Sequence, residues 1–231
     1  MLPRTLEPEV MDTPAEAIDY DSMDHSDVNR IFVDDLLEAA QTAGFDDLLE
    51  SGEPLKVLDV GTGTAQIPIQ LCCRPVNCDI WAIDLAAEML LLAAENVRNA
   101  ALDGRILLER EDAKALNYSD VEFDWVISNS IVHHIPDPEL SMREMLRVLR
   151  PGGLLFVRDL LRPASDTEVE SIVRTYAGLD NERQQQLFRQ SLHAALRVEE
   201  VRELLMSQGW SGETVFRNSD RHWTIAGAKP E

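Results

Sequence analysis

Residues 55–65 read Leu-Lys-Val-Leu-Asp-Val-Gly-Thr-Gly-Thr-Ala, a short apolar run that passes directly into a glycine-rich turn. The length of the run and its valines are typical of a buried strand. Gly61 and Gly63 allow a ligand to approach the backbone closely and leave N–H groups free to face it. This segment therefore predicts a strand, a ligand-binding turn and a following helix.

Short apolar runs alternate with helical patterns beyond this turn. The predicted strands lie at Leu55–Val60, Asp79–Ile83, Ile106–Leu108, Phe123–Ser128 and Leu154–Val157. The predicted helices cover residues 65–73 and 86–100, and a third helix begins at Asp137-Pro138 and stops at Pro151-Gly152-Gly153. This alternation predicts a parallel sheet with right-handed crossovers.

The last third of the chain has a different pattern. A short amphipathic helix around Val198–Leu205 ends at Gly209, and two strands follow near Glu213–Phe216 and Trp223–Ala226. Their spacing fits an antiparallel hairpin at the edge of the sheet. We therefore expect one doubly wound α/β domain over residues 1–231, with a mostly parallel seven-stranded sheet and an antiparallel C-terminal hairpin.

Two segments are expected to cover the ligand-binding edge of this sheet. Residues 1–50 hold an acidic stretch and then an amphipathic helix, with Ser26 as its N-cap and Gly44 at its end. Residues 162–196 are polar and helical, which predicts a lid or a substrate-binding insertion. The two segments contain four aromatic residues that are more readily explained by packing or surface exposure than by catalysis: Tyr20, His25, Tyr176 and His193.

The chain is strongly acidic. Its 231 residues hold 42 Asp and Glu against 21 Lys and Arg, a formal net charge of −21, so nucleic acid is not an expected partner. No apolar run reaches about 18 residues, and residues 1–9 lack the pattern of a secretory signal, so no membrane span is expected. Cys72, Cys73 and Cys78 have no histidine nearby, which predicts reduced thiols, no metal site and a cytosolic location.

Acidic residues mark the carboxyl ends of the first two predicted strands, where ligands bind in sheets of this kind. Asp84 follows Gly63 by 21 residues, about the spacing at which a carboxylate meets ribose hydroxyls. A dinucleotide fingerprint would need a further glycine where Gln66 stands. Asp59, two residues before the first glycine, instead suits a ligand with a positively charged group such as an amine. From the residues alone, both cofactor classes stay open.

Five motifs, in order, resemble those of the class I S-adenosylmethionine-dependent methyltransferases, in the subgroup that methylates quinones and other small molecules. They are Val57–Ala65, Ala82–Leu90, Glu111–Ala113, Phe123–Ile135 and Arg147–Leu154. The resemblance implies a Rossmann-like methyltransferase fold with S-adenosyl-L-methionine as cofactor. One departure is Ala65, where many members have a third glycine; we expect this small residue to preserve cofactor binding.

The resemblance also implies a role for each matching residue. It assigns the methionine part of the cofactor to Gly61, Thr62 and Gly63, with Asp59 near the amino group. It assigns the ribose to Asp84, the adenine to Leu85, Asp112 and Ala113, and the reactive end to Asn129, while Met89 belongs to the same motif as Leu85. For Asp84 and Asp112 a helix N-cap is the alternative, because a helical pattern follows each of them.

The acceptor side has three candidate catalytic residues. His133 and His134 follow the fourth strand, and histidine is the usual base near neutral pH, so either could take a proton from the acceptor. His134 is the first to mutate; the alternative is that one histidine packs against the helix near Pro138. Arg158 could hold an acidic acceptor, or it could form a salt bridge with Asp159 or with the acidic N-terminal segment.

The expected function is methyl transfer from S-adenosylmethionine to an unidentified small-molecule acceptor by in-line displacement. Two alternatives use the same pocket: an enzyme that consumes this cofactor without methylating, and a cofactor-binding protein without catalysis. A nicotinamide oxidoreductase is disfavoured by Gln66. The oligomeric state cannot be predicted from the sequence.

Overall fold

A computed structural model describes residues 2–8, 12–22, 25–45 and 53–230 of the protein. Its strands are β1 Leu55–Val60, β2 Cys78–Asp84, β3 Ile106–Arg110, β4 Phe123–Asn129, β5 Leu149–Leu160, β6 Val215–Arg217 and β7 His222–Ala228. They form one seven-stranded sheet in the order β3-β2-β1-β4-β5-β7-β6. The first five strands are parallel, and β7 and β6 add an antiparallel hairpin. The predicted fold class is confirmed.

Helices cover both faces of the sheet. In the described residues they are α1 Pro14–Asp21, α2 Ser26–Thr42, α3 Gln66–Cys72, α4 Ala87–Asn99, α5 Pro138–Val148, α6 Asp166–Tyr176, α7 Glu182–Ala194 and α8 Val198–Ser207. The segment 162–196 is therefore two helices, α6 and α7. The sequence pattern did not predict α1, whose eight residues are too few for a clear apolar period.

The cap predicted for α2 is wrong by one residue. Ser26 is the first residue of the helix, and His25 precedes it as the N-cap. The reason is that His25 already has near-helical backbone angles (φ −97°, ψ 8°), and its carbonyl accepts the N–H of Asn29 at 2.9 Å. The other end is as predicted, because Gly44 has a left-handed φ of +82°.

The predicted stop of α5 is also wrong. The helix ends at Val148, and β5 begins at the next residue, so Pro151-Gly152-Gly153 lie inside this strand. They coincide with an irregularity in the pairing of β4 with β5, which is where proline and glycine are tolerated in a sheet. The start of α5 is as predicted, because the Asp137 carboxylate accepts the N–H of Glu139 at 3.2 Å.

The core lies on both faces of the sheet. On the face covered by α2 and α3, the largest buried side chains include Phe32, Leu36, Leu71, Trp125 and Phe156. On the face covered by α5 and α8, they include Leu58, Phe123, Met142, Val201 and Trp223. Within the described residues, no helix is long and apolar enough to cross a membrane.

The strand order determines where a ligand can bind. The chain winds from β1 through β2 to β3 on one side, and continues through β4 and β5 on the other. Strand order therefore reverses between β1 and β4, and a crevice forms at their carboxyl ends. The turns after β1 and β4, which begin at Gly61 and Ser130, meet at this crevice.

Candidate active site

The turn after β1 is fixed to the neighbouring strand by its own backbone. The N–H groups of Gly61 and Thr62 both donate to the carbonyl of Ile83 at 2.9 Å. Gly61 has a φ of +76°, and a Cβ there would lie 2.1 Å from Cγ2 of Ile131. Only glycine fits at this position, so the turn keeps its shape and its close contact with the turn after β4.

Asp84 ties this turn to the start of α4. Its carboxylate accepts hydrogen bonds from the N–H of Gly63 at 2.8 Å and of Ala86 at 2.9 Å. Burial raises the pKa of Asp84, and these backbone donors offset only part of that effect. The N-cap residue of α4 is Ala86, so Asp84 positions the turn rather than capping the helix itself.

Three buried polar atoms on or beside the turn have no hydrogen-bond partner among the described residues. They are Oδ2 of Asp59 and the hydroxyl oxygens of Thr62 and Thr64. Asp59 is only 2% exposed. Burial raises its pKa to about 7, the adjacent Thr62 hydroxyl offsets part of this rise, and the Asp84 carboxylate adds to it. Because buried polar groups are nearly always hydrogen-bonded, this set points to a polar ligand at the turn.

A small cavity lies beside these atoms. Its walls are Tyr20, His25, Asn29, Asp59, Gly61, Thr62, Thr64, Gln66, Ile67 and Asn129. The rings of Tyr20 and His25 contact each other, with centroids 5.0 Å apart. Burial, followed by the negative charges of Asp84 and Asp59, raises the pKa of Tyr20 to about 12. Residues of α1 and α2 therefore form one wall of the cavity, opposite the sheet.

Sequence reasoning missed Asn29 and treated Tyr20 and His25 as packing or surface residues. Asn29 lies on the same face of α2 as Phe32 and Leu36, which are fully buried. A polar residue within an apolar stripe was the available signal, because a buried amide needs a partner. No such signal marked Tyr20 or His25, whose positions at the cavity depend on how α1 packs on the sheet.

Asp112 lies beyond β3 in a tight turn formed by residues 113–115. The turn excludes the helix N-cap alternative for this residue. Its carboxylate accepts the backbone N–H of Lys114 at 2.9 Å and pairs with Nζ of Lys114 at 2.9 Å. Although burial raises the pKa of Asp112, these contacts lower it more, so the carboxylate is ionised at neutral pH. Its side chain is also partly open to solvent.

The other predicted cofactor residues lie outside the cavity walls. Met89 is buried with Ala17 and Ala86 beneath α1, and Ala113 packs against the core on the α5 face. Leu85 follows β2 and is half-buried. Their contacts with a cofactor stay predictions.

His133 and His134 lie in the turn after β4, in a cluster with two carboxylates. The N–H of His133 donates to Oδ2 of Asp159 at 3.1 Å, and its Nδ1 lies 2.5 Å from Oδ1 of the same residue. On the other side, Oε1 of Glu7 lies 3.5 Å from Nε2 of His133 and 3.1 Å from Nδ1 of His134.

The charges in this cluster follow from burial and pairing. Burial lowers the pKa of His133, but Asp159 raises it more, so the net shift is upward. Burial raises the pKa of Asp159, but His133 lowers it more. For His134, burial and then the charge of His133 lower the pKa to about 3. At neutral pH the cluster therefore holds a buried His133–Asp159 pair and a neutral His134.

Arg158 lies on the opposite face of β5 from Asp159, because successive residues of a strand alternate. It is buried, and its guanidinium donates to Oδ2 of Asp35 at 2.7 Å and to Oγ1 of Thr224 at 3.0 Å. Asp35 belongs to the acidic N-terminal segment, so the salt bridge considered as the alternative role is present. Binding of an acceptor by Arg158 stays a prediction.

Known proteins match this chain in sequence. A family model described as a methyltransferase domain matches residues 58–157. A methyltransferase named GfsG from Streptomyces halstedii is 33% identical over 65% of this chain and 55% of that protein. A demethylmenaquinone methyltransferase from Porphyromonas gingivalis is 30% identical over 74% of this chain and 74% of that protein. The chain belongs to the class I S-adenosylmethionine-dependent methyltransferases.

The methyltransferase also has the fold of solved members of this class. A crystal structure of an S-adenosylmethionine-dependent methyltransferase from Aquifex aeolicus superimposes with a TM-score of 0.62, at 18% identity, over 93% of this chain and 97% of that chain. At this identity the likeness shows the fold alone. The chain spans about half the length of several of the curated relatives that it matches.

Proposed function

We propose that this methyltransferase transfers the methyl group of S-adenosylmethionine to a small-molecule acceptor by in-line displacement. The observation that carries the proposal is a set of buried oxygens of Asp59, Thr62 and Thr64 at the reversal point of the sheet. None of them has a well-formed hydrogen bond in the described residues. When bound, the cofactor supplies an electrophilic methyl group on sulfur. The sulfur leaves without needing a proton, so the main task of the protein is alignment of donor and acceptor.

The residues at the turn suit the groups of this cofactor. A positive amino group beside Asp59 would favour its ionised form and lower its raised pKa. The hydroxyls of Thr62 and Thr64 can each donate one hydrogen bond to a carboxylate. Asp84 retains lone pairs beyond its backbone donors, and Asp112 is partly exposed, so both can accept from hydroxyl or amino groups.

For the acceptor, His133, His134 and Arg158 remain the proposed residues. His134 is the first variant to make, because its side chain is 18% exposed against 4% for His133. Arg158 would have to leave Asp35 to bind an acceptor. Demethylated quinones are the first acceptors to try, because the Porphyromonas relative is named for one. We also propose a cytosolic location, which the free state of Cys72, Cys73 and Cys78 supports.

Cofactor binding is tested by thermal unfolding with S-adenosylmethionine, S-adenosylhomocysteine and NAD, each alone. The proteins are the wild type, Asp59→Asn and Asp84→Asn. A ligand at about 100 times its Kd stabilises by about 2.7 kcal/mol, which raises the Tm of a domain this size by roughly 5–10 °C. We expect this rise with the two sulfur nucleosides, no rise with NAD, and loss of the rise in both variants.

Asp103→Asn is the matched control, because Asp103 is an exposed acid in the turn before β3. This variant should keep the full rise. A rise with NAD alone, or none with either sulfur nucleoside in folded protein, would contradict the proposed cofactor. Transfer of labelled methyl groups to demethylated naphthoquinols then separates methylation from binding without catalysis.

A further inference from the structure

A group of metal-ligating atoms lies outside the walls of the cofactor cavity. The N-terminal strap, residues 2–8, crosses the turn after β4 and brings Glu7 to His133 and His134. Oε1 of Glu7, one ring nitrogen of His133 and one of His134 all lie within 4.8 Å of one another. This set contrasts with the expectation of no metal site, which considered only the cysteines.

Two of these atoms are buried without a hydrogen-bond partner in the described residues. They are Oε1 of Glu7 and Nδ1 of His134, which face each other at 3.1 Å without the alignment of a hydrogen bond. The Glu7 side chain is only 7% exposed. The His134 ring makes a hydrogen bond to the backbone of Pro8. Because Nδ1 has no partner, that bond uses the Nε2 hydrogen, and Nδ1 is then an acceptor like the Glu7 oxygen, so neither satisfies the other. A cation between them would satisfy both.

The neighbours of these residues orient them as ligands. Nδ1 of His133 lies 2.5 Å from the Asp159 carboxylate, which leaves Nε2 facing Glu7. This carboxylate–histidine arrangement is the usual support of a metal-bound imidazole. The second carboxylate oxygen of Glu7 accepts a hydrogen bond from Oγ of Ser191 at 3.1 Å. Both side chains are therefore held in place from outside the proposed site.

We propose that Glu7, His133 and His134 bind one divalent transition-metal ion, which displaces the proton on Nε2 of His133 into solvent. Ligands that each lie about 2.1 Å from an ion are about 3.0–3.4 Å from each other, close to the distances of Glu7 to the two histidines. Two imidazoles and one carboxylate favour zinc or a neighbouring metal over magnesium or calcium, which prefer oxygen ligands. Three protein ligands leave a further coordination position for water or an acceptor group.

The strap does not depend on the ion for its position. Arg4 donates to the backbone carbonyls of His133, Ile135, Pro136 and Ala194 at 2.7–3.2 Å. Arg4 and Asp159 are the charged groups beside Glu7, His133 and His134, and they carry opposite charges. The ion would add a direct link from the strap to the turn after β4. This proposal is independent of cofactor binding, since none of its residues lines the cofactor cavity. It bears on the acceptor, because His133 and His134 would hold the ion instead of acting as a base.

The test is zinc binding by protein that has first been dialysed against a chelator. Zinc is titrated in competition with a chromophoric chelator, on wild type, Glu7→Gln and His134→Asn. We expect one equivalent in the wild type and at least a 100-fold loss of affinity in each variant. Cobalt titrated in place of zinc should give visible absorption bands with the wild type and lose them with both variants.

His193→Gln is the matched control, since His193 is a partly exposed histidine near the strap whose ring pairs with exposed Asp166. It should bind zinc as the wild type does. Unfolding curves establish that each variant is folded. Glu7→Gln should fold as the wild type does, because Glu7 lies on the strap, outside the main core. Equal zinc affinity in wild type and both variants, or no stoichiometric binding by wild type, would overturn the proposal. S-adenosylhomocysteine binding is measured in the same samples. Protein that binds this nucleoside but not zinc overturns the metal site alone and leaves the proposed function standing.

Discussion

Two alanines, Ala65 and Ala101, have the left-handed backbone conformation that glycine ordinarily adopts, with φ of +61° and +57°. The left-handed conformation costs an L-residue about 1–2 kcal/mol, which a change to glycine would relieve. Glycine in turn costs about 0.5–1 kcal/mol, because its unfolded chain has more entropy to lose on folding. Ala101 is exposed, so Ala101→Gly should stabilise the protein by about 0.5–1 kcal/mol. Urea unfolding measures the change.

Ala65→Gly should change the stability much less than Ala101→Gly. Ala65 is fully buried at the start of α3, and removal of a buried methyl group costs about 0.8 kcal/mol, which offsets the relief of backbone strain. Burial of the methyl group thus explains how this chain tolerates alanine at a left-handed position. The control is Ala100→Gly, since Ala100 has a φ of −81° and glycine should destabilise there. Equal effects at positions 65, 100 and 101 would contradict the backbone argument.

At the scale of elements, the N-terminal strap depends on Arg4. Its side chain supplies four hydrogen bonds to carbonyls of the turn after β4 and of the end of α7, and the N–H of Thr5 donates to the carbonyl of His193 at 3.0 Å. Hydrogen bonds from a charged group contribute about 1.5–3 kcal/mol each when buried. Arg4→Met keeps the apolar stem and should speed hydrogen exchange in residues 2–8 by at least about tenfold.

Global stability should fall in Arg4→Met by no more than the free energy that docks the strap, because the strap lies outside the main core. Arg183→Met is the control: this arginine forms an exposed ion pair with Asp19, 3.4 Å away, and such pairs contribute little. Exchange in residues 2–8 that is the same in Arg4→Met and Arg183→Met would show that other contacts hold the strap. If the strap positions Glu7 for a metal ion, zinc affinity should fall in Arg4→Met as well.

At the scale of the whole molecule, local sequence patterns predicted the sheet. Contacts between segments far apart in the chain, which these patterns do not report, determine which side chains meet at the site. The strand at residues 55–60 and the helix that begins at Pro138 depend on neighbouring residues, so their apolar period and caps were visible in the sequence. The meeting of Glu7 with His133 joins segments far apart in the chain, and no local pattern reports it. Arg158 is intermediate, since strand alternation places it opposite Asp159 but does not identify Asp35 as its partner.

The raised pKa of Asp59 should make the stability of the whole protein depend on pH. Burial raises the pKa of Asp59 from 3.8 to about 7 in the folded chain. Between these values the folded state keeps a proton that the unfolded state has released, so stability falls as the pH rises through this window. Asp59→Asn removes this dependence, and without cofactor it should be more stable than wild type above pH 7 by on the order of 1–4 kcal/mol.

Asp112→Asn should behave in the opposite way. The pKa of Asp112 is lowered in the folded state, chiefly because its contacts with Lys114 outweigh the effect of burial. Its contribution is therefore present above the unfolded pKa and is lost as the pH falls, so Asp112→Asn should be less stable than wild type at neutral pH. Urea unfolding of the cofactor-free proteins between about pH 4 and pH 8 measures both effects. If the stability of wild type and of Asp59→Asn changes with pH in the same way, Asp59 is ionised in the folded chain. Other groups would then already neutralise its negative charge, which is the charge proposed to hold the amino group of the cofactor.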